Sequence, residues 1–228
     1  GLCVRGRVPS EFLLQDQYLH KGVIVVLKDT PEATIGLMLN RPSNTLAPTF
    51  SPYDNVRRVC FGGPYSTQGL TGRSGGFWVH RSEELAKRGI GQAVGQSGLY
   101  VTQPQKLSEA DRSQCLVVEG FCMWPKKEFA QAEELRRGPW KGARVPEGGL
   151  QSEIDAGKFE AIEVTEDAFN AFLVAAATPQ TAAEANSQGT PVPGGEETIP
   201  PSLLGMAAWE KCLPVGGGGE GGRGHHER

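Results

Sequence analysis

An arginine and a histidine at the ends of apolar runs are the residues of this chain best equipped for chemistry. Arg41 stands in Asn40-Arg41-Pro42, directly after the run Ile35–Leu39. Its planar fork could hold a carboxylate or a phosphate through two parallel hydrogen bonds. His80 closes Phe77-Trp78-Val79-His80 beside Arg81, where an imidazole could give or take a proton near neutral pH. Gly62-Gly63-Pro64 follows another short run; consecutive glycines permit positive φ and close backbone approach, which suits either an anion cradle or a structural corner. Trp124 ends Glu119-Gly120-Phe121-Cys122-Met123-Trp124. The same side chains can equally be structural pins, with Asn40 bonding a turn and Trp124 filling a core corner. Arg41 would then satisfy carbonyls or a carboxylate such as Glu119.

Several chemistries lack their parts. No pair of carboxylates flanks His80, and no metal-ligand spacing or phosphate loop accompanies it. Phosphate loops need a helix N-terminus after the glycines, whereas Tyr65–Gly69 has no helical period. Gly72-Arg73-Ser74-Gly75-Gly76 matches the nucleophile-elbow spacing around Ser74, but an elbow needs a strand before it and a helix after it; here a strand follows. His225-His226 lacks the further ligands of a zinc site, and His20 reads as a loop-end histidine. No cofactor is expected.

These residues must be positioned by strands. Val23–Leu27 and Ile35–Leu39 are apolar on both faces, and Lys28–Glu32 between them is turn-like, so a buried central hairpin is expected. Pro42 cannot donate to a ladder and stops it, with a loop expected over Ser43–Asn55. Short strands are expected at Val56–Phe61, Phe77–His80, Leu99–Thr102 and Cys115–Val118. Alternation puts Phe77 and Val79 on one face, Trp78 and His80 on the other. Ser82-Glu83-Glu84 caps a short helix ending at Gly89, and Ser108–Asp111 resembles a capping box. Pro125 suits the first turn of a helix through Arg137. Thr165 caps a helix with the stripe Ala168, Phe169, Phe172, Leu173 and Ala176, and Ser202 caps another that ends at Leu213.

Composition sets the limits. The chain has 228 residues with 31 Gly and 16 Pro, enough for one substantial domain plus unpacked segments. Net charge is −3, which leaves no electrostatic footprint for nucleic acid. Residues 1–144 carry net +6 and residues 145–228 net −9, so the tail is expected to solubilise, to fold back on the body or to recruit a basic partner. No apolar run reaches the length of a membrane helix. The chain opens on Gly1, so any targeting segment is expected to lie outside it. Five cysteines without CxxC spacing favour a reducing compartment over a disulfide framework.

Four motifs in order carry a resemblance: GLMLNRP (36–42), FGGP (61–64), GFWVHR (76–81), and VVEGFCMW with its following acidic helix (117–134). The chain resembles the YqgE/AlgH family of bacterial proteins and their plastid-type relatives over about residues 10–142. Leu203–Leu213 with Trp209 is similar to the family's closing helix. Glu128-Phe129 stands where the family has Gln-Leu, and residues 145–200 read as an insertion. The resemblance implies an α+β fold with a coiled, bifurcated, mostly antiparallel sheet and flanking helices. The expected organisation is a body (1–144), an inserted segment with a helix near 166–177, a flexible linker (178–201), a docked helix (202–213) and a disordered glycine-rich tail (214–228). It further implies a non-catalytic regulatory or scaffold role with a protein partner, as an accessory subunit of a larger assembly, in the cytoplasm or a plastid. A hydrolase or transferase centred on His80 and Arg41 is the alternative.

Overall fold

The computed structural model describes residues 1–7, 14–46, 57–68, 76–126, 149–177, 205 and 208–215. Its strands make two six-stranded sheets, and with the helices the architecture is α+β, as expected. In the first sheet the order is β10 (Cys122–Pro125), β3 (Ala33–Met38), β2 (Val23–Asp29), β1 (Cys3–Gly6), β11 (Phe159–Glu163), β12 (Leu213–Pro214). In the second it is β4 (Pro42–Leu46), β5 (Arg58–Phe61), β9 (Cys115–Glu119), β6 (Phe77–His80), β8 (Tyr100–Thr102), β7 (Gln92–Ala93). All pairs are antiparallel except β5 with β9. The expected bifurcation takes the form of a seam, where Met38 N–H donates to the Gly62 carbonyl at 3.0 Å.

The β2–β3 hairpin lies inside the first sheet because it is apolar on both faces. Val23, Val25, Leu37 and Leu39 join the larger core cluster with Phe169 and Phe172. Ile24, Val26 and Met38 face a second cluster with Trp124, Leu150 and Phe159. Period-two alternation therefore feeds two cores at once.

The helices are short: α1 (Glu83–Lys87), α2 (Glu109–Arg112), α3 (Gly149–Asp155) and α4 (Glu166–Ala176). Ser82 accepts from Leu85 N–H and Thr165 from Ala168 N–H, while Ser108 and Asp111 form a reciprocal capping box. Each cap satisfies amide groups that the first helical turn leaves without partners.

Some expectations need correction. Residues 42–46 are strand β4 rather than loop: Pro42 opens the strand, where a missing donor is tolerated, and lies opposite Cys60. Pro125 ends β10 instead of starting a helix; residues 127–148, including the rest of that expected helix, lie outside the described residues. Leu213 is in a strand, preceded by a 3-10 turn over Ala208–Lys211. β11, from the stretch read as an insertion, sits between β1 and β12 in the first sheet. The expected linker and most of the glycine-rich tail also lie outside the described residues.

The outer strands are poor templates for further pairing. β4, β10 and β12 each contain a proline, and β7 is two residues long. Such edges resist strand addition by another chain.

Candidate functional site

The Asn40-Arg41-Pro42 corner ties three parts of the chain together. Asn40 is fully buried; its Oδ1 accepts from Val23 N–H at 2.8 Å, and its Nδ2 donates to the Lys21 carbonyl at 2.8 Å and the Gly205 carbonyl at 3.1 Å. A side-chain amide offers a donor and an acceptor at once, which this corner needs. Gly205 is held so closely that a Cβ there would come within 2.4 Å of the Asn40 carbonyl oxygen.

Arg41 is half-buried, and its Nη2 donates to the His20 carbonyl, with a longer contact of 3.5 Å to that of Tyr18. Burial pulls its guanidinium below the ordinary arginine value. Among the described residues no carboxylate pairs with it; Glu119 instead accepts from the Thr67 hydroxyl. Arg41→Ala should cost about 2 kcal/mol, the usual loss for removing a charged donor from a part-buried carbonyl, here that of His20. An unchanged thermal melt would eliminate the pinning role.

The glycine motif is a backbone crossing. Gly62 N–H donates to the Glu119 carbonyl at 2.7 Å, Tyr65 N–H to that of Phe121 at 3.2 Å, and Phe121 N–H returns to Tyr65 at 2.9 Å. A Cβ on Gly63 would lie 2.1 Å from Phe121 backbone carbon, and one on Gly120 2.2 Å from Gly63 oxygen. Pro64 is exposed beside this crossing. Two main chains pass with no room for a side chain, and the Gly62 and Tyr65 N–H groups are turned into the crossing.

His80 has no solvent exposure. Its Nε2 lies 3.0 Å from the Ile90 carbonyl, so that nitrogen carries the proton and donates, and the ring stacks on Tyr100 at 5.2 Å. Gly91 makes the space: a Cβ there would come within 2.8 Å of Nε2. Desolvation lowers the pKa of His80, opposed by the Ile90 and Ser82 backbone and by Asp111. The unfolded chain therefore takes up this proton first as pH falls, so stability present above the ordinary value of 6.5 is lost below it. The expected loss is on the order of 1 kcal/mol by about pH 5.5. Urea titrations at the two pH values check this, with His80→Gln expected to flatten the difference. Asp111 does not confuse the window, because Arg88 (2.8 and 2.9 Å) and Ser108 hold its carboxyl far below the usual range.

Arg81 leaves the sheet in another direction, with Nη1 donating to the Val164 carbonyl at 2.6 Å. Trp124 is buried and packs edge-on to Phe159 at 5.9 Å. Its Nε1 donates to Glu153 Oε2 at 2.7 Å, and Lys158 Nζ stands 3.8 Å from Oε1. Glu153 is only 2% exposed and was not singled out from sequence. Glu at an interior position of a short amphipathic helix signals nothing until the indole is opposite it. Trp124→Phe should cost about 2 kcal/mol by removing the donor from a buried carboxylate. The Trp124→Phe, Glu153→Leu double variant should recover part of that loss in a denaturant cycle. Glu128 and Ser74 lie outside the described residues.

The candidate residues are therefore not gathered in one pocket. Asn40 and Arg41 serve the seam near β2, His80 is enclosed by the second sheet, and Trp124 belongs to the second core. Among the described residues, no group of three or more His, Cys, Asp or Glu could hold a metal ion, and no helix is long and apolar enough to cross a membrane.

Comparison with known proteins places these motifs. No curated protein matches the chain. A solution structure of the AlgH protein from Pseudomonas aeruginosa matches at 16% identity and a TM-score of 0.43, covering 83% of this chain and 88% of that one. The AlgH-like family model matches residues 8–163, a span holding the Asn-Arg-Pro corner, the glycine crossing, the buried histidine and the tryptophan–glutamate pair. The chain belongs to the AlgH-like family.

Proposed function

We propose that this chain is a non-catalytic accessory or regulatory module that works through contact with a protein partner. The observation that supports this reading is the enclosure of His80: the best-placed acid–base group is fully buried and engaged with the Ile90 carbonyl, out of reach of a substrate. Arg41, the anion-binding candidate, is occupied by main-chain carbonyls. The net −9 of residues 145–228 favours a partner with a basic surface. Proline-bearing sheet edges favour side-chain contact over strand addition. Five buried, unpaired cysteines are in keeping with a reducing compartment, cytoplasmic or plastid. We take residues 178–201 as the linker that brings the closing segment back to the first sheet.

Crosslinking mass spectrometry in native extract tests the reading, with one recurrent protein partner crosslinked to the acidic region as the expected result. Turnover of ester, amide or phosphate substrates by the purified chain, abolished by His80→Gln or Arg41→Lys, would overturn it.

A further inference from the structure

The closing segment, Gly205 with residues 208–215, is strapped across the outer edge of β11 mainly by polar contacts. Arg5 Nη1 donates to the Trp209 carbonyl at 3.1 Å and to the Cys212 carbonyl at 2.7 Å, and its guanidinium lies over the Trp209 ring at 4.3 Å. Trp209 Nε1 donates to the Gly6 carbonyl at 2.9 Å, the Thr165 hydroxyl to that of Lys211 at 3.3 Å, and Val215 N–H to that of Ala161 at 3.1 Å. Little apolar burial accompanies these bonds. Ala208 and Cys212 are buried and Trp209 partly so, but Leu213 and Val215 are 56% and 61% exposed. Hydrophobic hold scales with the apolar area removed from water, so this segment is held less firmly than the β2–β3 hairpin.

The side chains that grip this strap each keep a partner in the body when it leaves. Arg5 Nε retains Glu160 Oε1 at 2.8 Å. Asn40, which donates to the Gly205 carbonyl, retains Val23 and Lys21. Thr165 retains its cap on Ala168 N–H. Release therefore avoids the cost of stranding these groups, and what it uncovers is a strand edge. The Lys158 carbonyl accepts from Arg7 N–H on the β1 side, whereas the Ala161 carbonyl accepts from Val215 N–H on the other. Alternation thus turns the main-chain groups of Phe159, Ala161 and Glu163 toward β12, and among the described residues β12 pairs with Ile162 and Glu163 alone. The five residues of β11 include no proline, unlike those of β4, β10 and β12; bared, they form an edge open to pairing.

We propose that the closing segment is a releasable strap guarding this edge, and that a protein partner displaces it by adding an extended segment to β11. The strap itself shows the chemistry of the occupant. Arg5 Nη1 and the Ala161 carbonyl bond main-chain groups that any extended chain supplies. The side-chain demands are an indole, for the Gly6 carbonyl and the Arg5 cation, and a small apolar residue three positions later, where Cys212 is buried. The occupant is a strand with the pattern Trp-x-x-small. While the strap is closed, Pro214 and the other proline-bearing edges deter such addition. The source of the displacing strand rests on the partner reading above; release of the strap does not.

A fluorescein-labelled peptide of residues 205–215, added in trans and followed by anisotropy, tests the proposal. The full chain carrying Trp209→Ala should bind it saturably. Wild type should bind it at least about tenfold more weakly, because its tethered strap competes at a high effective concentration. A peptide that itself carries Trp209→Ala should not bind. Hydrogen exchange by NMR on the wild-type chain gives an independent readout. The Ala161 and Glu163 amides, which face the strap, should exchange at least about tenfold faster than those of Glu160 and Ile162, which face β1. No saturable binding to the Trp209→Ala chain, equal affinity for the two chains, or equal protection on the two sides of β11 overturns the proposal. Loss of β2–β3 protection in Trp209→Ala also overturns it, since the strap would then belong to the core. Peptide binding with no partner crosslinked in native extract supports the strap and counts against the partner alone.

Discussion

At about pH 10, with reductant present, the protein should be about 5 kcal/mol less stable than at about pH 7.5, from its cysteines alone. All five are buried and unpaired. Desolvation pushes Cys3, Cys60 and Cys115 up to about 12 and Cys212 to about 11, and it pushes Cys122 higher still. Arg57 opposes the shift at Cys60 and Cys115 without cancelling it. The folded chain thus keeps protons that the unfolded chain releases above the ordinary thiol value of 9.0. Stability is complete below that value and is lost as pH rises toward the folded values. Each thiol contributes about 1 kcal/mol at about pH 10, and the total is comparable to the stability of a typical domain. Urea titrations at the two pH values measure it. Cys60→Ala should reduce the pH difference by about 1 kcal/mol even though its cavity lowers stability at both. Equal stability at the two pH values would rule out buried, protonated thiols.

Gly63→Ala and Gly120→Ala should each cost about 3–5 kcal/mol, combining overpacking with backbone strain. Gly63 (φ 149°) and Gly120 (φ 83°) both have positive φ. Each new methyl would sit within 2.2 Å of the opposing main chain, and a main chain cannot swing aside as a flexible side chain can. The crossing also carries the seam between the sheets, since Gly62 accepts from Met38 and donates to Glu119. Gly89→Ala is the control: φ is 72° there, but nothing lies within 4 Å of the added atom, so only the conformational cost of about 1 kcal/mol remains. Thermal melts of the three variants separate the two contributions, and equal losses would show that the crossing adds nothing.

Local chemistry was legible where it is self-contained. The hairpin, the Phe77–His80 strand and the caps at Ser82, Ser108 and Thr165 depend on residues a few positions apart, so periodicity and capping rules reach them. Segments whose burial comes from distant partners were not legible. β4 is polar and proline-led and becomes a strand because β5 offers its edge. β11 joins the first sheet because β1 needs a neighbour. Glu153 can be buried because Trp124, 29 residues earlier, supplies its hydrogen bond.

The motif residues show the same division. Sequence alone determined that Asn40, Arg41, His80 and Trp124 stand at strand ends, where a polar group is either exposed for binding or consumed by the main chain. Only the tertiary structure decided between those fates, because the deciding partners lie outside each motif. Gly205 lies 165 residues from Asn40, Ile90 shapes the enclosure of His80, and Val164 fixes Arg81. Hydrogen-bond demand is written into a side chain, but its satisfaction depends on which distant carbonyl the fold brings within 3 Å.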